Sequence, residues 1–141
     1  MSSPADQIAS KVPNTVLEGS TGWTLVIGDL PSEPNKVASF YDTGGMNPHP
    51  ALLLDFRSVQ VLVRGEPKTY GDTYTKAQQI KDVLLGITPE TLGSGDRIDG
   101  ITMLSDIVFL HYDDLSRPVF SVNFRVFWEP ATNSLTNREP L

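Results

Sequence analysis

The feature that most constrains this chain is a long alternation of apolar and polar residues from Arg117 to Trp128. Apolar side chains occupy every second position, namely Phe120, Val122, Phe124, Val126 and Trp128. Successive side chains of a β-strand point to opposite faces, so the pattern predicts one strand with an apolar face. Burying each of the five would contribute about 1.5–3 kcal/mol before conformational entropy is subtracted. We expect a helix and the neighbouring strands to pack against this strand.

The length of 141 residues suits one domain with a single core. We predict that this domain covers residues 1–128 and that residues 129–141 form a flexible tail, because the tail has few apolar residues to bury. No apolar run approaches the length of a membrane span, and the first residues lack the apolar core of a secretory signal, so we expect no membrane partner. The chain has no cysteine, which excludes disulfides, thiol catalysis and thiolate metal sites.

The formal net charge of −6 limits the classes of partner. A surface of that sign repels phosphate backbones, and no run of Lys or Arg offsets the repulsion. The composition therefore argues against nucleic-acid binding through a basic face. It remains compatible with a surface past which DNA moves without sticking.

Periodicity predicts the other main elements. Ser58–Arg64 alternates as a second strand, and Asp72–Leu85 carries an apolar stripe at helical spacing. Pro89–Gly100 is rich in Gly, Ser and Asp and predicts a surface loop. Ile101–His111 predicts a strand that a short turn joins to the Arg117 strand. Together these elements predict an α+β domain with a mostly antiparallel sheet, one main helix (Asp72–Leu85) packed on one face and a long C-terminal hairpin.

Catalytic motifs are missing from the sequence: it contains no nucleophile elbow, no phosphate-binding glycine loop and no zinc-protease motif. One cluster leaves an enzyme or ligand-binding domain open as an alternative. His111 could act with Asp106 and Asp113 around a divalent ion or as an acid–base pair. The competing interpretation is a solvated turn, where aspartates are common for backbone reasons.

Two groups of residues are candidates for an interface. Three consecutive leucines follow a proline-rich segment and need either a core pocket or a neighbouring subunit to cover them: Leu52, Leu53 and Leu54. Three arginines on or beside strands could recognise a partner or pair locally: Arg57, Arg64 and Arg125. Four aspartates could line a passage for DNA or could be scattered solubilising charge: Asp96, Asp99, Asp113 and Asp114.

A set of segments, taken in order, resembles a known family. The set runs from Tyr41–Gly45 through the strand Val59–Gly65 and a helix that opens with Tyr70 and Tyr74. It ends with Asp113-Asp114 and the segment RPVFSVNF at residues 117–124. In this order and spacing the chain is similar to the tail terminator proteins of long-tailed bacteriophages, which are also labelled tail completion or minor capsid proteins. The resemblance covers roughly residues 37–128.

The resemblance implies an α+β protein that assembles as a homohexameric ring. Such a ring caps the tail tube at its head-proximal end and offers a surface to the head connector or stopper protein, while DNA passes through without specific binding. It implies a structural virion protein, present in the host cytoplasm during assembly, with no enzymatic activity and no catalytic, cofactor or metal site. Another head–tail connector or stopper protein is the neighbouring alternative. If the chain forms a ring, acidic residues facing its hole would keep phosphates off the wall.

Overall fold

The computed structural model describes residues 3–141, and within that range a seven-stranded sheet is the largest feature. The strands are β1 (Thr24–Ile27), β2 (Val37–Met46), β3 (Asp55–Arg64), β4 (Glu90–Thr91), β5 (Arg97–Met103), β6 (Val108–Tyr112) and β7 (Pro118–Glu129). The helices are α1 (Pro4–Ala9) and α2 (Tyr70–Leu84), with a 3-10 turn at Gly19–Thr21. The prediction of a domain that is mostly sheet with one main helix is confirmed.

β7 is the strand on which the rest of the sheet is built. One of its edges pairs antiparallel with β3 along the whole of β3. Its other edge is shared, because β6 pairs with the first part of β7 and β5 with the last part. Beyond β3 lie β2 and then β1, which runs parallel to β2, so the sheet is mixed, and it curls. The strand indicated by the alternating pattern thus joins the two halves of the sheet.

The predicted strand Ile101–His111 is two strands, β5 and β6, separated at residues 104–107. Asp106 makes two hydrogen bonds at the break between β5 and β6. Its carboxylate accepts a hydrogen bond from the Ile107 backbone N–H at 2.7 Å and one from the Lys81 ammonium at 2.9 Å. Because Lys81 lies on α2, one of the two contacts of Asp106 at this interruption is distant in sequence.

The segment predicted as the loop Pro89–Gly100 contains regular structure. β4 pairs antiparallel with the start of β5, so that Glu90 lies opposite Ile98. The turn between them closes through the Leu92 backbone N–H, which donates to the Asp96 carbonyl at 2.7 Å. The glycines and polar residues of the segment therefore serve a tight turn, with pairing on both sides of it.

α2 begins two residues before the predicted start and ends at Leu84. Its buried stripe packs against β7 and β3 and consists of Thr73, Ala77, Ile80 and Leu84. The approach to β3 depends on Gly65, because a Cβ at that position would collide with Thr73 Oγ1. The Thr73 hydroxyl itself donates to the Thr69 carbonyl at 2.7 Å, which satisfies it inside the first turn.

α1 covers the sheet near β1, β2 and β3. Ser3 caps it, since the Ser3 hydroxyl oxygen accepts the Asp6 N–H at 3.3 Å. Ala5 and Ile8 are fully buried against the sheet. The two helices thus cover the same face of the sheet, where the alternate residues of β3 and β7 form the core: Val59, Val61, Val63, Phe120, Val122, Phe124, Val126 and Trp128. Among residues 3–141, no helix has the length and apolar content to span a membrane.

Candidate functional site

The three candidate leucines lie in the connection between β2 and β3, where the C-terminal residues cover them. Leu53 is 4% exposed, and Leu52 and Leu54 are half-buried. The Leu53 N–H donates to the Glu139 carbonyl at 2.7 Å, and the Glu139 N–H donates to the Ala51 carbonyl at 2.8 Å. Within one subunit, this short ladder provides the cover that the leucines need. A role for them in a subunit contact stays a prediction.

Asp55 joins the same C-terminal segment to β3. The Arg138 guanidinium contacts Asp55 Oδ1 at 2.8 Å, and the Arg57 guanidinium contacts Asp55 Oδ2 at 2.8 Å. Arg57 also lies over the Trp128 ring, 5.1 Å from its centroid. Burial alone would raise the pKa of Asp55, but the hydrogen bonds from Arg138 and Arg57 outweigh it, so the pKa is lowered from 3.8.

This lowered pKa gives a prediction for stability in acid. A carboxylate whose pKa is lower in the folded state contributes its stabilisation fully above its unfolded pKa and loses it as the pH falls through the folded value. We expect the wild-type free energy of unfolding to fall below pH 3.8 more steeply than that of Asp55→Asn. Chemical denaturation at several pH values from 6 to about 2.5 measures the difference between the two profiles. Parallel profiles would contradict the proposed ion pairs.

The candidate Arg64 lies in a buried cluster with Arg117 and Asp113. Arg64 is 3% exposed and Arg117 is 5% exposed. Arg117 donates from Nε to Asp113 Oδ2 at 2.8 Å and from an Nη to the Ser32 carbonyl at 2.6 Å. Arg64 donates to the carbonyls of two residues in the same loop, Pro34 and Asn35, at 2.7 and 3.1 Å. The two arginines therefore anchor the loop that precedes β2.

The electrostatics of this cluster depend on one carboxylate. Burial lowers the pKa of Arg64, the neighbouring charge of Arg117 lowers it further, and Asp113 opposes both. Burial would raise the pKa of Asp113, but the N–H groups of Arg117 and Leu115 and the Arg117 guanidinium lower it from 3.8. Asp113, which the sequence offered as a loop or lumen acid, is thus the ion-pair partner of the buried Arg117, and its charge opposes the lowering of the Arg64 pKa.

Arg125 is half-buried on β7, on the face opposite the core side chains. It lies between Ser58 of β3 and Thr102 of β5 in the register of the sheet. Within residues 3–141, its buried Nε has no hydrogen-bond partner. Its partner-binding role remains a prediction, but this guanidinium has bonding capacity left, whereas that of Arg64 is directed to carbonyls inside the subunit.

The four acidic candidates differ in whether their carboxylates already have hydrogen-bond or ion-pair partners within the subunit. Asp96 accepts hydrogen bonds from the Ser94 hydroxyl and the Ala131 N–H at 3.0 and 2.7 Å. Asp99 contacts Arg97 at 3.0 Å, and its carboxylate raises the pKa of the neighbouring Glu129. Asp114 is exposed on the turn that leads into β7. Of the four candidates, Asp114 is the one that offers a free carboxylate in the described chain.

The alternative site around His111 is not supported by the arrangement of its carboxylates. His111 is exposed on β6. The two carboxylates proposed to act with it have other partners, Lys81 for Asp106 and Arg117 for Asp113. No group of three or more His, Cys, Asp or Glu side chains within residues 3–141 could hold a metal ion.

The sequence analysis missed an exposed apolar surface around β6. Five large apolar side chains in this region are 41–58% exposed, namely Tyr70, Tyr74, Leu110, Tyr112 and Leu115. We call this set the β6 patch. Its signal was the run IVFLHY at residues 107–112, which carries apolar residues at both alternating positions instead of one. Such a run predicts a strand with two apolar faces, and the structure buries only part of it.

Comparison with known proteins identifies the family. A family model described as "Bacteriophage tail terminator protein" matches residues 13–127, which is 115 of the 141 residues. A chain from a solved structure entitled "Virion of native gene transfer agent (GTA) particle" is similar in fold, with a TM-score of 0.55 and 14% sequence identity. That match covers 74% of this chain and 78% of the other. No curated protein matches significantly. The chain therefore belongs to the bacteriophage tail terminator family.

Proposed function

We propose that this protein caps the phage tail tube as a homohexameric ring and presents the surface to which the head is joined. The observation that supports this most is the family match across residues 13–127, which includes every strand from β1 to β6 and nearly all of β7. The partners in this proposal are further copies of the chain, the tail tube protein and the head connector or stopper protein. The protein would then lie at the head-proximal end of the tail, after assembly in the host cytoplasm.

The proposed role requires surfaces that bind other subunits and partners, and it requires no catalytic activity. A ring of identical subunits needs a heterologous contact that closes by rotation, and it leaves two further faces for different partners. The side chains considered for catalysis are used differently in this chain, since Asp106 and Asp113 neutralise Lys81 and Arg117. The C-terminal segment, the connection that carries Leu52–Leu54 and the half-buried Arg125 remain candidates for the axial faces.

Acidic charge is part of the proposal. With a net charge of −6 and Asp114 exposed on a turn, a ring of six copies would repel the phosphates of passing DNA. This effect weakens beyond about 8–10 Å at physiological salt, so it concerns only residues that face the hole. A ring with a neutral or basic inner wall would contradict this part of the proposal.

An elongation assay tests the capping role. Tail tubes are prepared from cells in which this gene is deleted, then mixed with purified chain and afterwards with labelled tube protein. We expect the chain to bind one end of each tube and to stop further addition of labelled subunits at that end. Tubes that elongate equally with and without the folded chain would contradict capping.

A further inference from the structure

The β6 patch is large enough to be an interface. Its three tyrosines are 46%, 41% and 50% exposed, and an aromatic side chain can bury ~150–250 Å². Together with Leu110 and Leu115, the patch offers roughly 500 Å² of apolar surface, which is the size range in which the largest apolar patch of a monomer is often functional. Against a similar surface it would bury about 1,000 Å² in total, which reaches the lower limit for a specific protein–protein contact.

The patch is held rigid by the core beneath it. The Tyr70 ring lies 5.1 Å from Phe109 and 5.0 Å from the buried Phe120, measured between centroids. Tyr112 lies 5.2 Å from Phe109 on the other side. A preorganised aromatic surface loses little conformational entropy on binding, which favours stable contacts.

The position of the patch in the sheet points to its partner. Among residues 3–141, β6 pairs with β7 alone, so its outer edge is open. At the far end of the sheet lies β1, whose outer edge is partly closed because the Leu25 N–H donates to the Glu18 carboxylate at 2.8 Å. A ring needs two different, complementary surfaces on opposite flanks of each subunit. Ile27 of β1 is 38% exposed and lines a groove of about 280 Å³ between α1 and β1, together with Ala9, Val12 and Leu25. The other lining residues of this groove are polar, namely Asp6, Ser10 and Asn14.

We infer that the β6 patch binds the α1–β1 groove of a second copy of this chain, and that this is the contact that closes the ring. The inference rests on the proposed ring function. The contact is made by side chains, because the register shift between Phe109 and His111 places Leu110 in a bulge and interrupts the outer edge of β6. In the inferred contact the exposed Leu110 packs against the neighbouring copy, so a charge there would be buried without a partner.

The first test compares Leu110→Glu with Leu104→Glu, which places the same charge at an equally exposed leucine outside the patch. Each variant and the wild type are incubated with tail tubes and imaged, after thermal unfolding has shown equal midpoints. We expect Leu104→Glu to form rings on tubes as the wild type does, and Leu110→Glu to need at least about tenfold more protein. Equal ring formation by both variants would overturn the inference and leave the proposed function standing. Failure of the wild type to bind tubes would overturn both.

The second test uses the absence of natural cysteine to read the symmetry of the contact. Ile27→Cys, Leu110→Cys and the double variant are treated with a short thiol-reactive crosslinker under assembly conditions. A heterologous contact predicts a ladder of crosslinked oligomers for the double variant and monomers for each single variant. Dimers from Leu110→Cys alone would show two patches facing each other and overturn the inference. If tubes protect the Leu110→Cys thiol from reaction and no ladder of crosslinked oligomers appears, the patch binds the tube and the inference is overturned.

Discussion

Replacing Phe124 by Ala should cost about 3–5 kcal/mol of the free energy of unfolding, the typical loss for a large buried aromatic residue. Phe124 is fully buried in the middle of β7, opposite Val59 of β3 on one side and Met103 of β5 on the other. Its ring therefore fills the place where the two halves of the sheet meet under α2. Because small domains are stable by only about 5–15 kcal/mol, this one substitution removes a large part of the total.

Urea denaturation at fixed pH measures this loss, and an unchanged m-value would show that the unfolded state is not responsible. Phe127→Ala is the matched control, since Phe127 lies on the same strand but on the opposite face and is half-buried. Its main contact is an edge-to-face pairing with Phe56 at 6.1 Å, so we expect a loss of about 1–2 kcal/mol. Equal losses for the two variants would contradict the assignment of the core to the Phe124 face.

Replacing Asp113 by Asn should destabilise the protein by about 3 kcal/mol, although Asp113 lies in a turn. Breaking a buried ion pair leaves the surviving charge without compensation, and here the surviving charge is the Arg117 guanidinium, which is 5% exposed and lies beside the buried Arg64. The Asn side chain keeps an oxygen that can accept the N–H groups of Leu115 and Arg117, so the substitution tests mainly the charge. The loop before β2 should loosen as well, because Arg117 and Arg64 hold its carbonyls.

The adjacent Asp114→Asn is the control, because it removes the same charge from an exposed side chain one residue away. Its effect should lie within about 0.5 kcal/mol, as for most surface substitutions. Hydrogen exchange of the amides at residues 30–36 gives a second measurement, in which only Asp113→Asn should accelerate exchange. If both variants unfold at the same denaturant concentration as the wild type, the charge of Asp113 does not contribute to the stability of the protein as described.

The fold was predictable where local pattern and tertiary environment agree. The alternation of β7 and the helical stripe of α2 each contain enough apolar residues to specify the buried face without knowledge of their neighbours. The break between β5 and β6 was not predictable, because Asp106 is held by Lys81 on a helix 25 residues earlier. The β4–β5 hairpin was likewise hidden, since Gly and Ser in its turn resemble a loop and its pairing with β7 is long-range.

The side chains considered for function were harder to place than the strands. A sequence shows which residues are charged but not which of them are exposed. Asp113 and Asp114 therefore looked equivalent, although Asp113 is the counter-ion of Arg117 and Asp114 is exposed to solvent. Arg64 similarly looked available to a partner, but its hydrogen bonds end on carbonyls of a loop about 30 residues earlier. The β6 patch became visible only when the sheet order showed that β6 has an open edge.

The position of this chain in the intact phage tests the central claim most directly. Cryo-electron microscopy of the virion at the head–tail joint would resolve each ring along the DNA channel. The proposed function predicts that this chain forms a single sixfold ring on the last layer of the tail tube, on the side that faces the head. Its density at the distal end of the tail, or its absence from the mature virion, would contradict the claim.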